Sequence, residues 1–175
     1  RIARYDFLQR AALRLDIDVI ATAHTLDDHV ETVILNMARG SGLNGIAGIP
    51  AARGNIVRPM LHISRQDTRA YCEELGLWFH DDPANTDPAF RRSRLRMTVI
   101  PELKQIQPNL FESVSRLASI AASEDEYLDR VAAAALEQCE ARERNALSFL
   151  TDTNEIILNV EVLRTYPVPL LRRCI

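Results

Sequence analysis

Residues 18–50 read DVIATAHTLDDHVETVILNMARGSGLNGIAGIP, and the fold turns on how this stretch is parsed. Ile17 to Ala23 is a short β-branched, apolar run of the kind found in a buried parallel strand. Leu26, Val30, Val33, Ile34 and Met37 then form a stripe at helical spacing. Thr25 stands where that helix needs a cap, and Asp28, three residues on, completes a capping-box variant. Gly40 falls where a left-handed residue should end the helix. A strand running into a helix places His24 at the strand's carboxyl end, the edge of an open α/β sheet where ligands bind. Asp27 and Glu31, at i and i+4, share a helix side, and so do Asp28 and Glu31 at i and i+3. Two readings stay open at this level. The acids could serve chemistry, or they could only complement the dipole of a first helical turn.

Working outward, Phe7, Leu8, Ala11, Ala12 and Leu15 predict a first helix over Arg1 to Leu15. Helix, strand and helix with short joints imply an α/β layer structure with a parallel sheet. Asn55 to Leu61 (NIVRPML) reads as another extended piece, and Ser64 with Asp67 predicts a capped helix ending near Gly76. Leu77 to Phe79 is expected to be an edge strand, with Trp78 and the Leu75–Phe79 run in the core. HDDPANTDPAF, broken by Pro83 and Pro88, is a loop. A basic helical run from Arg91 to Thr98 leads to Pro101, which suits a first helical turn. From Asn109 an alanine-rich amphipathic helix is expected to run to about Arg144. Two strands around a Thr-Asp-Thr-Asn turn follow in SFLTDTNEIILNV, and Leu170 and Leu171 begin a further helix. The domain boundary is placed inside the long helix, near Ser119 to Asp125.

The 175 residues suffice for one domain or a domain and part of another, and 47% hydrophobic with 26% charged residues is a globular composition. A net charge of −3 supplies no global field for nucleic acid, so any RNA contact needs a local patch. No apolar run reaches the roughly 20 residues of a membrane span, and the N-terminus shows no signal pattern. Cys72, Cys139 and Cys174 are isolated, which argues against a disulfide framework or a Cys-ligated metal and suits reduced thiols in the cytoplasm. His24 and His29 do not match the HExxH zinc pattern. Gly40, Gly42, Gly45 and Gly48 read either as loop punctuation or as a backbone able to approach a phosphate. The chain starts and stops inside expected helices and is read as a fragment.

ATAHTLDDHVETVILNMARGSGLNGIAGI, with VRPML, DDPANTDPAFRRSRLR and VIPEL after it, resembles the tRNA(Ile)-lysidine synthetases of the N-type ATP pyrophosphatase (PP-loop) superfamily. His24, Asp27, Asp28, Glu31, Thr32, Arg39, Gly40, Ser41, Gly42 and Gly45 stand in register with the family pattern A-x-A-H-x-x-D-D-x-x-E-T followed by R-G-[ST]-G-x-x-G. The resemblance covers about residues 1 to 120 strongly and the remainder weakly. Two departures accompany it. The family's S-G-G-x-D-S phosphate loop would lie upstream of Arg1, and relatives usually carry asparagine where Ser93 stands.

The resemblance implies a Rossmann-like parallel sheet of the adenine nucleotide alpha hydrolase type, incomplete here. Residues 1–120 would be the C-terminal part of the pyrophosphatase domain. Residues 121–175 would be a linker helix and the start of a smaller α+β domain that binds tRNA. It implies a ligase with ATP and Mg2+ as cofactors, and tRNA(Ile), free lysine and ATP as partners. A homodimer is left open, no membrane is involved, and the location is cytoplasmic. In the implied reaction ATP adenylates O2 of an anticodon cytosine, then the lysine ε-amine attacks C2 and expels AMP. His24, Asp27, Asp28 and Arg39 are the implied catalytic residues, with Asp28 also on the metal. Arg4, Glu31, Gly40, Ser41 and Gly42 would bind ATP or substrate, and Arg91, Arg92, Arg94 and Arg96 would bind tRNA. A thiolase of the same fold is the alternative reading, disfavoured because sulfur delivery needs a Cys pair or cluster. A non-catalytic binding fragment is the other alternative. The chain alone is expected to be inactive, because the β- and γ-phosphates would lack the upstream loop's donors.

Overall fold

The computed structural model describes residues 2–80, 87, 89–140 and 157–174. Its contacts gather into two compact units, Arg1–Ala122 and Ser123–Ile175. The protein is a mixed α/β chain, rich in helix around a small sheet.

The first unit begins with helix α1 (Ile2–Leu15), closed by Asp16 in the left-handed region (φ 53°) and by a hydrogen bond from Ile17 N to Ala12 O. Strand β1 (Ile20–Ala21) is shorter than its apolar run, because its pairing partner is short. That partner, β3 (Ile56–Val57), is confined between the Gly54–Asn55 turn and Pro59, which has no N–H to continue a ladder. β1 runs parallel to β3 in the register Ile20↔Ile56 and Ala21↔Val57. β2 (Ala52–Arg53) pairs antiparallel with β3, so the sheet is mixed, in the order β1-β3-β2. Gln9 and Asn55 exchange reciprocal amide hydrogen bonds at 2.8 and 3.2 Å and tie α1 to this hairpin.

Helix α2 (Leu26–Ala38) starts with the expected capping box from Thr25 and Asp28. It ends in a Schellman motif, with Gly40 N bonded to Met37 O and Ser41 N to Asn36 O, and Gly40 at φ 74°. A one-turn helix, α3 (Leu43–Ile46), follows. Helix α4 (Arg65–Glu74) has the Ser64–Asp67 capping box and another Schellman ending, Gly76 N to Glu73 O and Leu77 N to Cys72 O. This ending corrects the strand expected at Leu77 to Phe79. The Leu77 N–H is committed to the helix, Phe79 lies under the Arg69 guanidinium, and Trp78 is 87% exposed rather than in the core. Most of the HDDPANTDPAF loop and residues 148–156 of the expected two-strand segment lie outside the described residues.

Helix α5 (Arg91–Arg94), a π-helical turn (Leu95–Val99) and α6 (Ile100–Ile106) run on as one helical rod. Pro101 has no N–H to give Met97, and its ring would collide with that carbonyl in a regular helix. The wider turn just before it, closed by Ile100 N to Leu95 O, falls where this strain arises. The core of the unit packs Val30 and Ile34 of α2 against Leu95, Ile100 and Leu110.

Helix α7 (Leu110–Cys139) spans 30 residues and carries the chain from the first unit into the second. In the second unit α8 (Val160–Leu163) is capped by Asn159, and α9 (Val168–Cys174) is held to α7 by Arg173, which pairs with Asp125 and Asp129. An isolated antiparallel bridge joins Glu140 and Leu158.

Candidate functional site

The parallel pair decides where the site forms. Thr22 N donates to Val57 O at 2.9 Å, so the chain leaves β1 and β3 side by side at their carboxyl ends. His24 follows β1 and Arg58 follows β3. A cavity of about 440 Å³ opens there, lined by Arg4 of α1, Thr22, Ala23, His24, Asp28 of α2 and Arg92 of α5. His24 Nδ1 lies 3.0 Å from Thr22 Oγ1, which sets the ring's orientation. Arg92 reaches across to Thr32 Oγ1 at 3.1 Å. Four of the expected site residues, Arg4, His24, Asp28 and Arg92, thus converge from three helices and a strand end.

The remaining acids on α2 face elsewhere. Glu31 has no exposed surface, and its carboxylate receives both Arg96 Nε at 2.8 Å and Arg96 Nη2 at 3.2 Å. Arg65 Nη2 stands 3.6 Å from the same carboxylate and 3.2 Å from Asp28 Oδ1. Asp27 Oδ2 accepts the Arg65 backbone N–H at 2.7 Å and so caps α4 from outside. The hydrogen bonding of Arg96 to the Glu31 carboxylate is the main reason its guanidinium is held above its ordinary pKa. Glu31 and Arg96 therefore form an internal bracket, and neither lines the cavity at His24. Asp28 does both tasks. Its Oδ2 accepts from Thr25 N at 3.0 Å and from Thr25 Oγ1 at 3.1 Å, while its side chain still faces the cavity.

Arg39, Gly40, Ser41 and Gly42 do not line this cavity. Arg39 is exposed and bonds Asn36 Oδ1 at 3.3 Å, and the Gly40 and Ser41 amides close the Schellman motif instead of pointing at a ligand. Gly45 and Gly48 matter for packing. A Cβ on Gly45 would come within 2.3 Å of Ser41 Cβ, and one on Gly48 within 2.7 Å of His29 Cε1. The His29 ring accepts Ile49 N–H on Nδ1 at 3.1 Å, and burial is the largest influence lowering its pKa. Arg91 and Arg94 project into solvent beside Arg92.

Sequence reasoning missed three residues of the site. A second cavity of about 630 Å³ shares Arg4, His24 and Arg92 with the first and adds Asn36, Arg53 and Arg58. Arg58 directly follows β3 (Ile56–Val57), just as His24 follows β1; the extended piece expected over Asn55 to Leu61 contained Arg58 and so hid that position. Among the described residues no group of three or more His, Cys, Asp or Glu side chains is gathered for a metal ion. No described helix is long and apolar enough to cross a membrane.

A family profile described as the PP-loop domain matches residues 1–103. The tRNA(Ile)-lysidine synthase of Salinispora arenicola is 43% identical over 142 residues, covering 78% of this chain and 43% of that protein. The tRNA(Ile)-lysidine synthase of Leifsonia xyli subsp. xyli is 36% identical over 176 residues, covering 100% of this chain and 51% of that protein. The chain thus spans about half the length, or less, of these curated relatives. Among solved structures, the U34-tRNA thiolase NcsA from Methanococcus maripaludis, with its 4Fe-4S cluster, superposes with a TM-score of 0.53 at 20% identity. It covers 67% of this chain and 41% of that one, a likeness of fold.

Proposed function

The chain belongs to the PP-loop domain family, and from that premise we propose that it forms part of a ligase that joins lysine to C2 of the anticodon wobble cytidine of tRNA(Ile), through an adenylated cytosine. The observation that carries this reading is the convergence of Arg4, His24, Asp28 and Arg92 on one cavity at the carboxyl edge of a parallel strand pair. The similarity to lysidine synthases over most of the chain supports the choice of substrate.

In this reading the sheet belongs to a Rossmann-like, adenine nucleotide alpha hydrolase-type layer. Residues 1–120 belong to the ATP pyrophosphatase domain, and residues 121–175 are a linker helix and the start of a tRNA-binding domain. Arg4 and Arg92 neutralise phosphate oxygens of ATP during adenylation, as guanidinium groups do well. His24 positions the α-phosphate or the cytosine, and Asp28 receives the ammonium of lysine and accepts its proton. Asp27, Glu31 and Arg96 act through Asp28 and Arg65 as positioning residues. Arg91, Arg94 and Arg39, all exposed, are the cations offered to the tRNA backbone. Asp28, the acidic residue lining the cavity, would also hold Mg2+ on the phosphates of ATP in the adenylation step, before lysine occupies it, and the ion would there supply neutralisation of phosphate charge. The location proposed is the cytoplasm, with a homodimer compatible with the reading.

The test is single-turnover incorporation of labelled lysine into tRNA(Ile) by the protein that contains this sequence. His24→Ala is expected to lower the rate by at least about 100-fold, the range of positioned acid–base or orienting groups, while the melting temperature stays near wild type. A variant that turns over at the wild-type rate removes this cavity from the reaction.

A further inference from the structure

The second cavity has one-sided chemistry. Arg4, Arg53, Arg58 and Arg92 stand around it with Asn36, and among the described residues no aspartate or glutamate lines it. Arg58 is the anchor. It is only 6% exposed, its Nη1 donates to Pro50 O at 2.7 Å, and its Nε is buried without a partner. None of the ion pairs found among the described residues includes it. A guanidinium taken out of water without a counter-ion is disfavoured unless an anion completes it. The described residues supply the cation, the desolvation and a carbonyl that fixes the group, and no carboxylate among them pairs with it. Arg53 comes from β2, the strand that pairs with β3 just before Arg58, so the hairpin presents both cations from one rigid piece.

We propose that this cavity is an oxyanion site for a small molecule, with Arg58 as the buried ligand and Arg53 as its partner. A guanidinium only 6% exposed, at the wall of a cavity of about 630 Å³, suits a small oxyanion that can enter the cavity. The shared chemistry is a planar or tetrahedral oxyanion accepting paired N–H bonds. Its two sources are the carboxylate of an amino acid and the phosphate of a nucleotide. The cavity shares Arg4, His24 and Arg92 with the site described above, so the inference deepens that reading and rests on it; Arg53 and Arg58 carry no step of the proposed reaction, so a lost anion response in Arg53→Gln and a lost lysine incorporation in His24→Ala are read separately.

The test is thermal melting of the 175-residue chain, followed by circular dichroism, with sodium phosphate or sodium acetate titrated at constant ionic strength against chloride. One of the two oxyanions is expected to raise the melting temperature saturably beyond chloride. Arg53→Gln is expected to raise the half-saturating concentration at least about fivefold, as is Arg58→Lys, which keeps the charge but loses the planar fork. If Arg58→Lys does not fold, Arg53→Gln on the exposed strand decides alone. Two matched pairs name the source: AMP against adenosine, and L-lysine against 1,5-diaminopentane. Stabilisation by AMP but not adenosine assigns a phosphate, and stabilisation by lysine but not the diamine assigns a carboxylate. No saturable response beyond chloride, or an equal response in wild type and Arg53→Gln, overturns the site.

Discussion

Glu31 shows how a residue in a functional motif can serve structure. A fully buried carboxylate is tolerated only when its charge is matched, and Arg96 matches it with two hydrogen bonds. Glu31→Gln should cost about 3–5 kcal/mol, the range for removing one partner of a buried pair. Arg96→Gln should also destabilise, and the double variant should lose less than the two singles added together. Urea unfolding of the four proteins measures this coupling, and simple additivity would refute the bracket. His29 gives the matching pH prediction. Burial holds its pKa below the usual 6.5, so the unfolded chain takes up the proton first as pH falls. The unfolded state binds more protons in that window, so stability is full above pH 6.5 and declines as pH drops below it toward the depressed pKa. His29→Gln should flatten that decline in melting temperature between neutral and mildly acidic pH, while keeping an acceptor for Ile49 N–H.

At the scale of elements, Gly48 and Gly42 make a controlled comparison. Gly48 has φ 73° and its missing Cβ would lie 2.7 Å from His29 Cε1 and 2.8 Å from Val33 Cγ2, whereas Gly42 is extended with open space around it. Gly48→Ala should cost more than about 1 kcal/mol, and Gly42→Ala should be close to neutral; equal denaturation midpoints for the two would contradict the packing. Helix ends were the most legible elements, because Thr25 with Asp28, Ser64 with Asp67, Gly40 and Gly76 each write a local hydrogen-bond solution into the sequence. Strands were less legible. β1 is cut to Ile20–Ala21 by the length of its partner, a non-local fact that no apolar run contains. β2 was missed although Gly54–Asn55 between two extended pieces is a hairpin signal. The site followed the same division. The positions of His24 and Asp28 at a strand end and a capped turn could be read locally. The withdrawal of Glu31 and Arg96 into a mutual pair joins residues 65 positions apart and could not.

For the whole molecule, the three thiols bear on which reaction the fold serves. Cys72 of α4 lines a shallow pocket with Arg65, Thr68, Arg69 and Phe79 and is not among the residues lining the cavity at His24. Cys139 is fully buried at the end of α7, and Cys174 Sγ points to Ala132 O at 3.8 Å. In the protein containing this sequence, changing Cys72 and Cys174 to serine and Cys139 to alanine, which avoids burying a hydroxyl, should leave labelled lysine incorporation intact. Loss of that activity in a folded variant, with labelled sulfur transferred by the wild type, would favour a thiolase.

The indole of Trp78 is the chain's sole tryptophan, is 87% exposed, and stacks on the His80 ring with centroids 6.1 Å apart. Its fluorescence in the native state should already be that of a fluorophore in water, with a red-shifted maximum and easy quenching by iodide. Unfolding the core would barely change its colour. An optical titration of this protein would therefore report events at the Leu77–His80 segment and stay blind to the packing around Val30 and Leu95.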